Sequence, residues 1–174
     1  RIRVDNHKSG HPKGHFYGAS GGGSTGKWIG RKGTFLEGGV RVPAIISFPG
    51  RAPQGVVRDQ IVTAMDWFPT VLDLCGIQHK GPQLDGHSLL PILNSLDAKS
   101  NYKGRLHFQW FVNWAVRDGD WKLIGNDRSK KMTLHNLSDD DPEKKNWAGE
   151  NPAIVERLKK LHDAWAKEVA PKKN

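Results

Sequence analysis

Hydrophobic residues recur along the chain with spacings that predict both strands and helices. Residues 42–48 form a nearly continuous apolar run, which is the pattern of a buried strand. In residues 105–114 apolar and polar side chains alternate, as in a strand with one buried face. Nearer the C-terminus apolar side chains return every three or four positions, which indicates an amphipathic helix over residues 151–169. The pattern therefore predicts an α/β protein.

Caps and stops predict two helices in the middle of the chain. Asp66 is suited to cap a helix that ends at Gly76. We expect the apolar stripe of this helix to comprise Phe68, Val71, Leu72 and Cys75. Residues 84–93 predict a turn followed by a short apolar helix. Cys75 is the single cysteine, so an internal disulfide is excluded, and we interpret it as a small core residue.

The last third of the chain predicts a small antiparallel sheet. Residues 114–124 contain two strand patterns joined at Asp118-Gly119, which is typical of a β-hairpin, and residues 130–137 supply another strand. The C-terminal helix, with Asn151 as its expected cap, should cover this sheet. Residues 97–104, just before this sheet, are polar. We therefore expect one domain over residues 1–98 and a second over residues 99–174.

Charge narrows the classes of partner. The 174 residues include 27 Lys and Arg against 18 Asp and Glu, a formal net charge of +9, which favours anionic partners. The basic residues are scattered, so charge alone does not choose among nucleic acid, anionic membrane and a sulfated or phosphorylated substrate. No apolar run is long enough for a membrane span. The first residues do not look like a natural start, so we expect the C-terminal part of a longer protein.

The stretch with the clearest chemical character is residues 30–46. It places Lys32 next to Gly33, continues as Glu37-Gly38-Gly39-Val40-Arg41 and ends in the apolar run. Glycine lets a ligand approach the backbone closely, and a lysine ammonium is a compact point charge suited to a tetrahedral anion. These residues therefore predict a cationic loop held by the strand that follows.

This stretch resembles the lysine signature of the sulfatases, which belong to the alkaline-phosphatase-like superfamily. The family pattern Gly-Lys-Gly-Thr-x-x-Glu-Gly-Gly-x-Arg-x-Pro matches here except that Arg31 occupies a position where the family often has a small residue. The resemblance implies that Lys32 is a catalytic residue that grips the sulfate ester. It extends over nearly the whole chain, including Asp66-x-Phe68-Pro69-Thr70 and the C-terminal hairpin and helix.

Asp5 and Asn6 follow a short predicted strand at residues 2–6. By themselves they favour a turn, with hard oxygen ligands for Ca²⁺ or Mg²⁺ as the alternative. The resemblance implies the second reading, because sulfatases complete their divalent metal site with an Asp-Asn pair upstream of the lysine loop. Val4 and His7 flank the pair where the family usually has Ser and Gly.

The resemblance also implies a nucleophile and a fold. The sulfatase nucleophile is a hydrated formylglycine made from the first residue of a Cys/Ser-x-Pro-x-Arg motif, and Cys75, followed by Gly76, does not fit it. We therefore expect the formylglycine in a part of the protein that this chain lacks, and no turnover by the chain alone. The implied architecture is the edge portion of a sulfatase-type mixed sheet with helices, plus the small C-terminal antiparallel sheet.

The implied reaction is hydrolysis of a sulfate monoester, with a sulfated carbohydrate or an aryl sulfate as substrate. His107 and Trp110 are candidate substrate-binding residues, although core packing is the default reading for such rings. Two alternatives remain: a non-catalytic polyanion-binding module, and a phosphatase or phosphodiesterase of the same superfamily. No nucleic-acid-binding motif is present, so nucleic acid is not expected. The family implies a periplasmic, secreted or lysosomal location.

Overall fold

The computed structural model describes residues 25–139 and 143–170. Their helices and strands, in chain order, are α1 (Glu37–Val40), a 3₁₀ turn (Ala64–Asp66), α2 (Trp67–Cys75), α3 (Leu90–Asn94), β1 (Arg105–Trp110), β2 (Asn113–Asp118), β3 (Trp121–Asn126), β4 (Met132–Asn136) and α4 (Pro152–Val169).

The chain divides into two compact units. The sheet unit comprises Arg1–Pro43 and Leu106–Asn174, of which the structure describes residues 25–43, 106–139 and 143–170, and the middle unit is Ala44–Arg105. The sheet unit thus contains both the lysine loop and the antiparallel sheet. The expected division at residues 98 and 99 stays a prediction.

The sheet unit contains a four-stranded sheet in the order β1-β2-β3-β4. Strands β2 and β3 pair antiparallel, with Asp118 opposite Trp121, and β4 continues the antiparallel pairing with Leu134 opposite Leu123. Gly119 has φ +64° at the first central position of the two-residue hairpin turn, a conformation that glycine adopts readily. The predicted hairpin and small antiparallel sheet are confirmed.

Helix α4 covers this sheet. Leu158 is fully buried against Trp114, Val116, Leu123 and Leu134. The apolar stripe predicted for the helix is therefore its packing face. The predicted cap is wrong in its detail: Asn151 precedes the helix, but its side-chain amide donates to the Trp147 carbonyl at 3.2 Å and makes no cap hydrogen bond.

Asp66 organises the middle unit from a fully buried position. Its carboxylate accepts hydrogen bonds from the Thr63 amide at 2.7 Å, the His87 amide at 2.8 Å and the Tyr102 hydroxyl at 2.6 Å. Burial and the hydrogen bond to Asp66 raise the pKa of Tyr102 to about 12. Helix α2 follows and ends at Gly76 with φ +67°, and α3 is the short helix predicted after the turn in residues 84–93, although it extends one residue further, to Asn94. Both predicted helices are confirmed, but the predicted cap is wrong in its detail, because the Asp66 side chain makes no cap hydrogen bond to α2.

The predicted stripe of α2 is wrong. The buried residues of α2 are Thr70 and Leu74, whereas Val71 is 51% exposed and Cys75 is exposed. Thr70 faces inward because its hydroxyl donates to the Asp66 carbonyl and accepts from the Leu89 amide at 2.9 Å. These two hydrogen bonds select the buried face of α2, and side-chain hydrophobicity alone does not reveal them.

Residues 42–48 do not form the predicted buried strand. They carry no regular secondary structure, and the side chain of Ile45 is 88% exposed. A strand needs a neighbour for its backbone hydrogen bonds, and this run has none among the residues that the structure describes. Residues 44–48 instead line one side of an open groove of about 570 Å³ together with Trp67, Leu89 and Ile92.

Within the described ranges, no helix has the length and apolar character needed to cross a membrane.

Candidate functional site: the lysine loop

Lys32 stands at the tip of a tight turn. The Thr34 amide donates to the Arg31 carbonyl at 3.0 Å, and the Thr34 hydroxyl donates to the same carbonyl at 2.8 Å. Gly33 has φ +88°, so the four residues from Arg31 to Thr34 match a type II β-turn with Lys32 at its second position. The Lys32 side chain is exposed. The turn therefore presents an ammonium group on a hydrogen-bonded base.

The Gly-Gly pair of the motif lets helix α1 pack directly on this turn. The Gly38 amide donates to the Ile29 carbonyl at 2.8 Å. A Cβ atom at Gly38 would lie 2.7 Å from that oxygen, and one at Gly39 would lie 2.2 Å from the Thr34 carbonyl oxygen. Because these obstacles are backbone atoms, they cannot rotate away as a side chain does. The two glycines are therefore a steric requirement of the loop.

Glu37, the first residue of α1, fastens the loop to the sheet. Its carboxylate accepts a hydrogen bond from the Lys122 ammonium of β3 at 2.8 Å and another from Arg41 Nε at 3.0 Å. Lys122 also donates to Glu143 Oε1 at 3.0 Å, and the other oxygen of Glu143 accepts from the Glu37 amide at 2.6 Å. Glu37, Lys122 and Glu143, here called the buried triad, thus form a closed ring of contacts.

The buried triad is almost completely withdrawn from water. Lys122 is 0%, Glu37 4% and Glu143 7% exposed. Burial alone raises the pKa of Glu37, but the positive charges of Lys122 and Arg41 outweigh it, so the pKa of Glu37 lies below its usual value. Glu37 is therefore ionised at neutral pH, and its charge is neutralised inside the protein.

The loop carries a local excess of positive charge. Residues 25–43 contain four cationic side chains and a single carboxylate, which belongs to Glu37. The guanidinium of Arg41 lies 4.1 Å from the ring centroid of Trp28, and the ammonium of Lys27 lies 4.9 Å from it, both within cation–π range. Since Glu37 is already paired, and Lys32 and Arg31 form no ion pair within the part of the chain that the structure describes, both cations have charge available for an external anion.

The other predicted site residues are Asp5, Asn6, His107 and Trp110. Asp5 and Asn6 lie outside the described residues, so their metal role stays a prediction. In β1, His107 and Trp110 are three positions apart and lie on opposite faces of the strand. His107 stacks on Trp165 of α4 at 5.0 Å, while Trp110 is 55% exposed. Among the described residues no group of three or more His, Cys, Asp or Glu is placed to hold a metal ion.

One stretch of this chain fits the Cys/Ser-x-Pro-x-Arg pattern, which corrects the expectation that the pattern lies elsewhere. Ser47, Pro49 and Arg51 occupy its three specified positions. Ser47 is exposed, and Arg51 is engaged locally: its amide donates to the Phe48 carbonyl at 3.0 Å and its guanidinium to the Leu74 carbonyl. Ser47 belongs to the middle unit and Lys32 to the sheet unit.

Sequence reasoning assigned no role to the members of the buried triad. Glu37 is part of the motif, but its partners Lys122 and Glu143 are 85 and 106 residues away. Glu143 belongs to the acidic stretch of residues 139–146, and it is buried. A weak signal was the lysine in Trp121-Lys122-Leu123-Ile124, because a charge inside an otherwise apolar strand calls for a buried partner.

Comparisons with known proteins agree with the lysine-loop motif. Residues 27–169 match the family described as N-sulphoglucosamine sulphohydrolase, C-terminal. An uncharacterized sulfatase of Schizosaccharomyces pombe is 33% identical over 138 residues, which cover 73% of this chain and 25% of that protein. Arylsulfatase D of Homo sapiens is 40% identical over 112 residues, or 59% of this chain and 18% of that protein.

A third relative is N-acetylgalactosamine-6-sulfatase of Canis lupus familiaris, 44% identical over 73 residues that cover 41% of this chain and 14% of that protein. The chain thus spans a quarter or less of the length of these relatives. The family match covers most of the chain and includes the lysine loop, the antiparallel sheet and the helix that covers it. The chain therefore belongs to the sulfatase family and corresponds to its C-terminal part.

Proposed function

We propose that this chain supplies the sulfate-gripping lysine of an enzyme that hydrolyses sulfate monoesters. The observation that carries the proposal is the position of Lys32, exposed at the tip of a type II turn whose base is held by hydrogen bonds. An ammonium fixed in this way stabilises negative charge on the transferred group and its leaving oxygen without having to reorganise during the reaction.

The substrate proposed is a sulfated carbohydrate, with an aryl sulfate as the alternative. The formal charge of +9 and the cationic lysine loop favour a polyanion such as a sulfated polysaccharide. Among the relatives, one is named for N-acetylgalactosamine 6-sulfate and another is named an arylsulfatase. The exposed Trp110 offers a ring face on which a sugar can stack. Because the chain belongs to the sulfatase family, we also propose that the protein is periplasmic, secreted or lysosomal.

Asp5 and Asn6 are proposed as ligands of Ca²⁺ or Mg²⁺, since their oxygens are the donors such ions prefer. A divalent ion, when bound, adds positive charge next to the sulfuryl group. The work assigned to the described residues is independent of it: Lys32 contacts sulfate oxygens, and Glu37 holds the loop. Although Ser47 fits the first position of the nucleophile pattern, the formylglycine is proposed to lie outside this chain, because the Arg51 guanidinium of that stretch is engaged by the Leu74 carbonyl.

The proposal is tested by titrating the full chain with inorganic sulfate and following the Lys32 amide and side-chain signals by NMR. Lys32→Met should weaken sulfate binding at least about tenfold, which corresponds to about 1.4 kcal/mol. Lys131→Met is the matched control, because Lys131 is another exposed lysine of the sheet unit. Equal losses in the two variants, or none in either, would overturn the assignment.

The same titration separates the neighbouring functions. A phosphatase or phosphodiesterase predicts that inorganic phosphate binds at Lys32 more tightly than sulfate. A non-catalytic polyanion-binding module predicts steep salt dependence for a long polyanion and equal contributions from many scattered lysines. The sulfatase assignment predicts that sulfate affinity depends on Lys32 far more than on Lys131.

A further inference from the structure

The buried triad has a role beyond holding two parts of the chain together. We propose that Lys122 is a positioning residue for Lys32: it fixes the lysine loop to the antiparallel sheet through Glu37, and so sets where the sulfate-binding ammonium stands. The inference rests on the proposed function for the identity of the anion, but its mechanical part concerns only the described residues.

The first step is that Glu37 leaves the loop little freedom to move. Its carboxylate contacts Lys122 and Arg41, and its amide donates to Glu143 at 2.6 Å, so both the side chain and the backbone of the same residue are tied. Lys122 is the shared partner, since it contacts both carboxylates of the triad. Rotation of α1 about Glu37 would therefore break contacts on two sides.

The second step is that motion of α1 is transmitted to Lys32. The Gly38 amide is bonded to the Ile29 carbonyl at 2.8 Å, on the other side of the turn. Gly39 packs on the carbonyls of Arg31 and Thr34 so closely that no Cβ atom fits between them. The turn and the helix therefore behave as one body, and the tie at Glu37 fixes the position of that body.

The buried triad contains more buried charge than the stability of the sheet unit requires. Burying two carboxylates and an ammonium costs desolvation free energy, and apolar side chains of similar volume often stabilise a core as well or better. Glu143 in addition has φ +70°, a conformation that is unfavourable for a residue with a Cβ atom. Buried charge and local strain occur here at the same place. We take this combination as the sign of a site whose geometry must be fixed.

The sequence pattern agrees with this reading. Glu37 lies five residues after Lys32, within the same signature, whereas Lys122 comes from a hairpin in the last third of the chain. The antiparallel sheet, which contains no residue proposed to touch the sulfate, thereby acquires a part in anion binding.

The test compares Lys122→Met, Lys122→Arg and Glu143→Gln in the full chain. Arg157→Ala is the control, because Arg157 forms a partly exposed ion pair with Asp118 at the end of β2 in the same sheet. Two quantities are measured: amide hydrogen exchange at Gly38, Gly39 and Thr34, and the affinity for inorganic sulfate at Lys32.

Lys122→Met should speed exchange at the three loop amides at least about tenfold beyond the acceleration that its overall loss of stability causes in β2 and β3, and sulfate affinity should fall with it. Lys122→Arg, which keeps the positive charge, should restore part of both. If Lys122→Met does not fold, Glu143→Gln carries the test: it keeps the Lys122–Glu37 pair and should loosen the loop to a smaller degree.

Loop exchange and sulfate affinity that match those of Arg157→Ala in the folded variants would overturn the inference. If the wild-type chain binds no sulfate but Lys122→Met still exchanges faster in the loop, the proposed function is contradicted and the mechanical coupling between Lys122 and the loop remains. Uniform acceleration of exchange over the whole sheet unit would show a purely stabilising triad and would also overturn the positioning role.

Discussion

The ammonium of Lys122 lies 2.8 Å from the carboxylate of Glu37, although the two residues are 85 positions apart in the chain. Both side chains are buried, and Glu143 brings a second carboxylate to Lys122 from a third segment. The contact joins a short signature loop to a sheet that is formed much later in the chain. The contact between Lys122 and Glu37 therefore ties the conformation of the lysine loop to the tertiary structure of the sheet unit.

Replacing Lys122 by methionine should destabilise the sheet unit by about 3–5 kcal/mol, because Glu143 would be left buried without a cation and Glu37 would keep only Arg41. Denaturant unfolding followed by tryptophan fluorescence measures this loss. Adding Glu37→Gln and Glu143→Gln to the same chain should recover much of it, since no unpaired charge then remains. The partly exposed Arg157–Asp118 pair is the control, and Arg157→Ala should cost about 1 kcal/mol or less.

Gly39→Ala should disturb the lysine loop without a change in charge. The new Cβ atom would lie 2.2 Å from the Thr34 carbonyl oxygen, so the backbone must move, at a cost of about 1–3 kcal/mol. Exchange of the Gly38 amide, which is bonded to Ile29, reports that movement. Gly149→Ala is the matched control, because a Cβ atom there meets open space. Equal effects of the two substitutions would contradict the steric account of the Gly-Gly pair.

Stability should fall as the pH decreases below neutrality, and His162 should account for part of the fall. This ring is buried and stacks on Trp114 at 4.3 Å, and its Nδ1 has no hydrogen-bond partner among the described residues. Burial lowers the pKa of His162, and Lys159 adds to that shift while Asp163 and Asp127 oppose it.

The direction follows from the two pKa values of His162. In the unfolded chain the ring takes up a proton near pH 6.5, whereas the folded protein resists it, so the stabilisation is complete above that pH and is lost as the pH falls toward the lowered folded pKa. His162→Phe keeps an aromatic ring and removes the titration. Unfolding free energies from pH 8 to pH 5 should show a slope that is smaller in the variant by at most about 1.4 kcal/mol per pH unit. Identical slopes would contradict the assignment.

The chain by itself should show no metal-dependent hydrolysis of an aryl sulfate, because the proposed nucleophile lies outside it. Ser47 is the residue at which the prediction can be checked, because it is the first residue of the stretch that fits the nucleophile pattern. Mass spectrometry should find unmodified serine at this position, and Ser47→Ala should leave sulfate binding at Lys32 unchanged. Turnover by the chain that disappears in Ser47→Ala, together with an aldehyde at position 47, would show that the nucleophile is present here after all.

Several elements were accessible from the sequence because their causes are local. The hairpin at Gly119 follows from a glycine that adopts positive φ between two strand patterns, and helix α4 follows from the spacing of Ile154, Leu158, Leu161 and Trp165. Other expectations failed where a partner decides the outcome. Residues 42–48 are apolar enough for a strand, yet they find no strand neighbour among the described residues.

For the candidate site, the sequence by itself determined the lysine loop: which residue carries the charge, where glycine must stand, and which family the pattern belongs to. Only the tertiary structure decided what holds the loop, because Lys122 and Glu143 come to Glu37 through the pairing of β3 and the course of the chain after β4. Local conformation depends on neighbours in sequence, whereas a buried charge chooses its partner by distance in space, and that distance exists only after the sheet has formed.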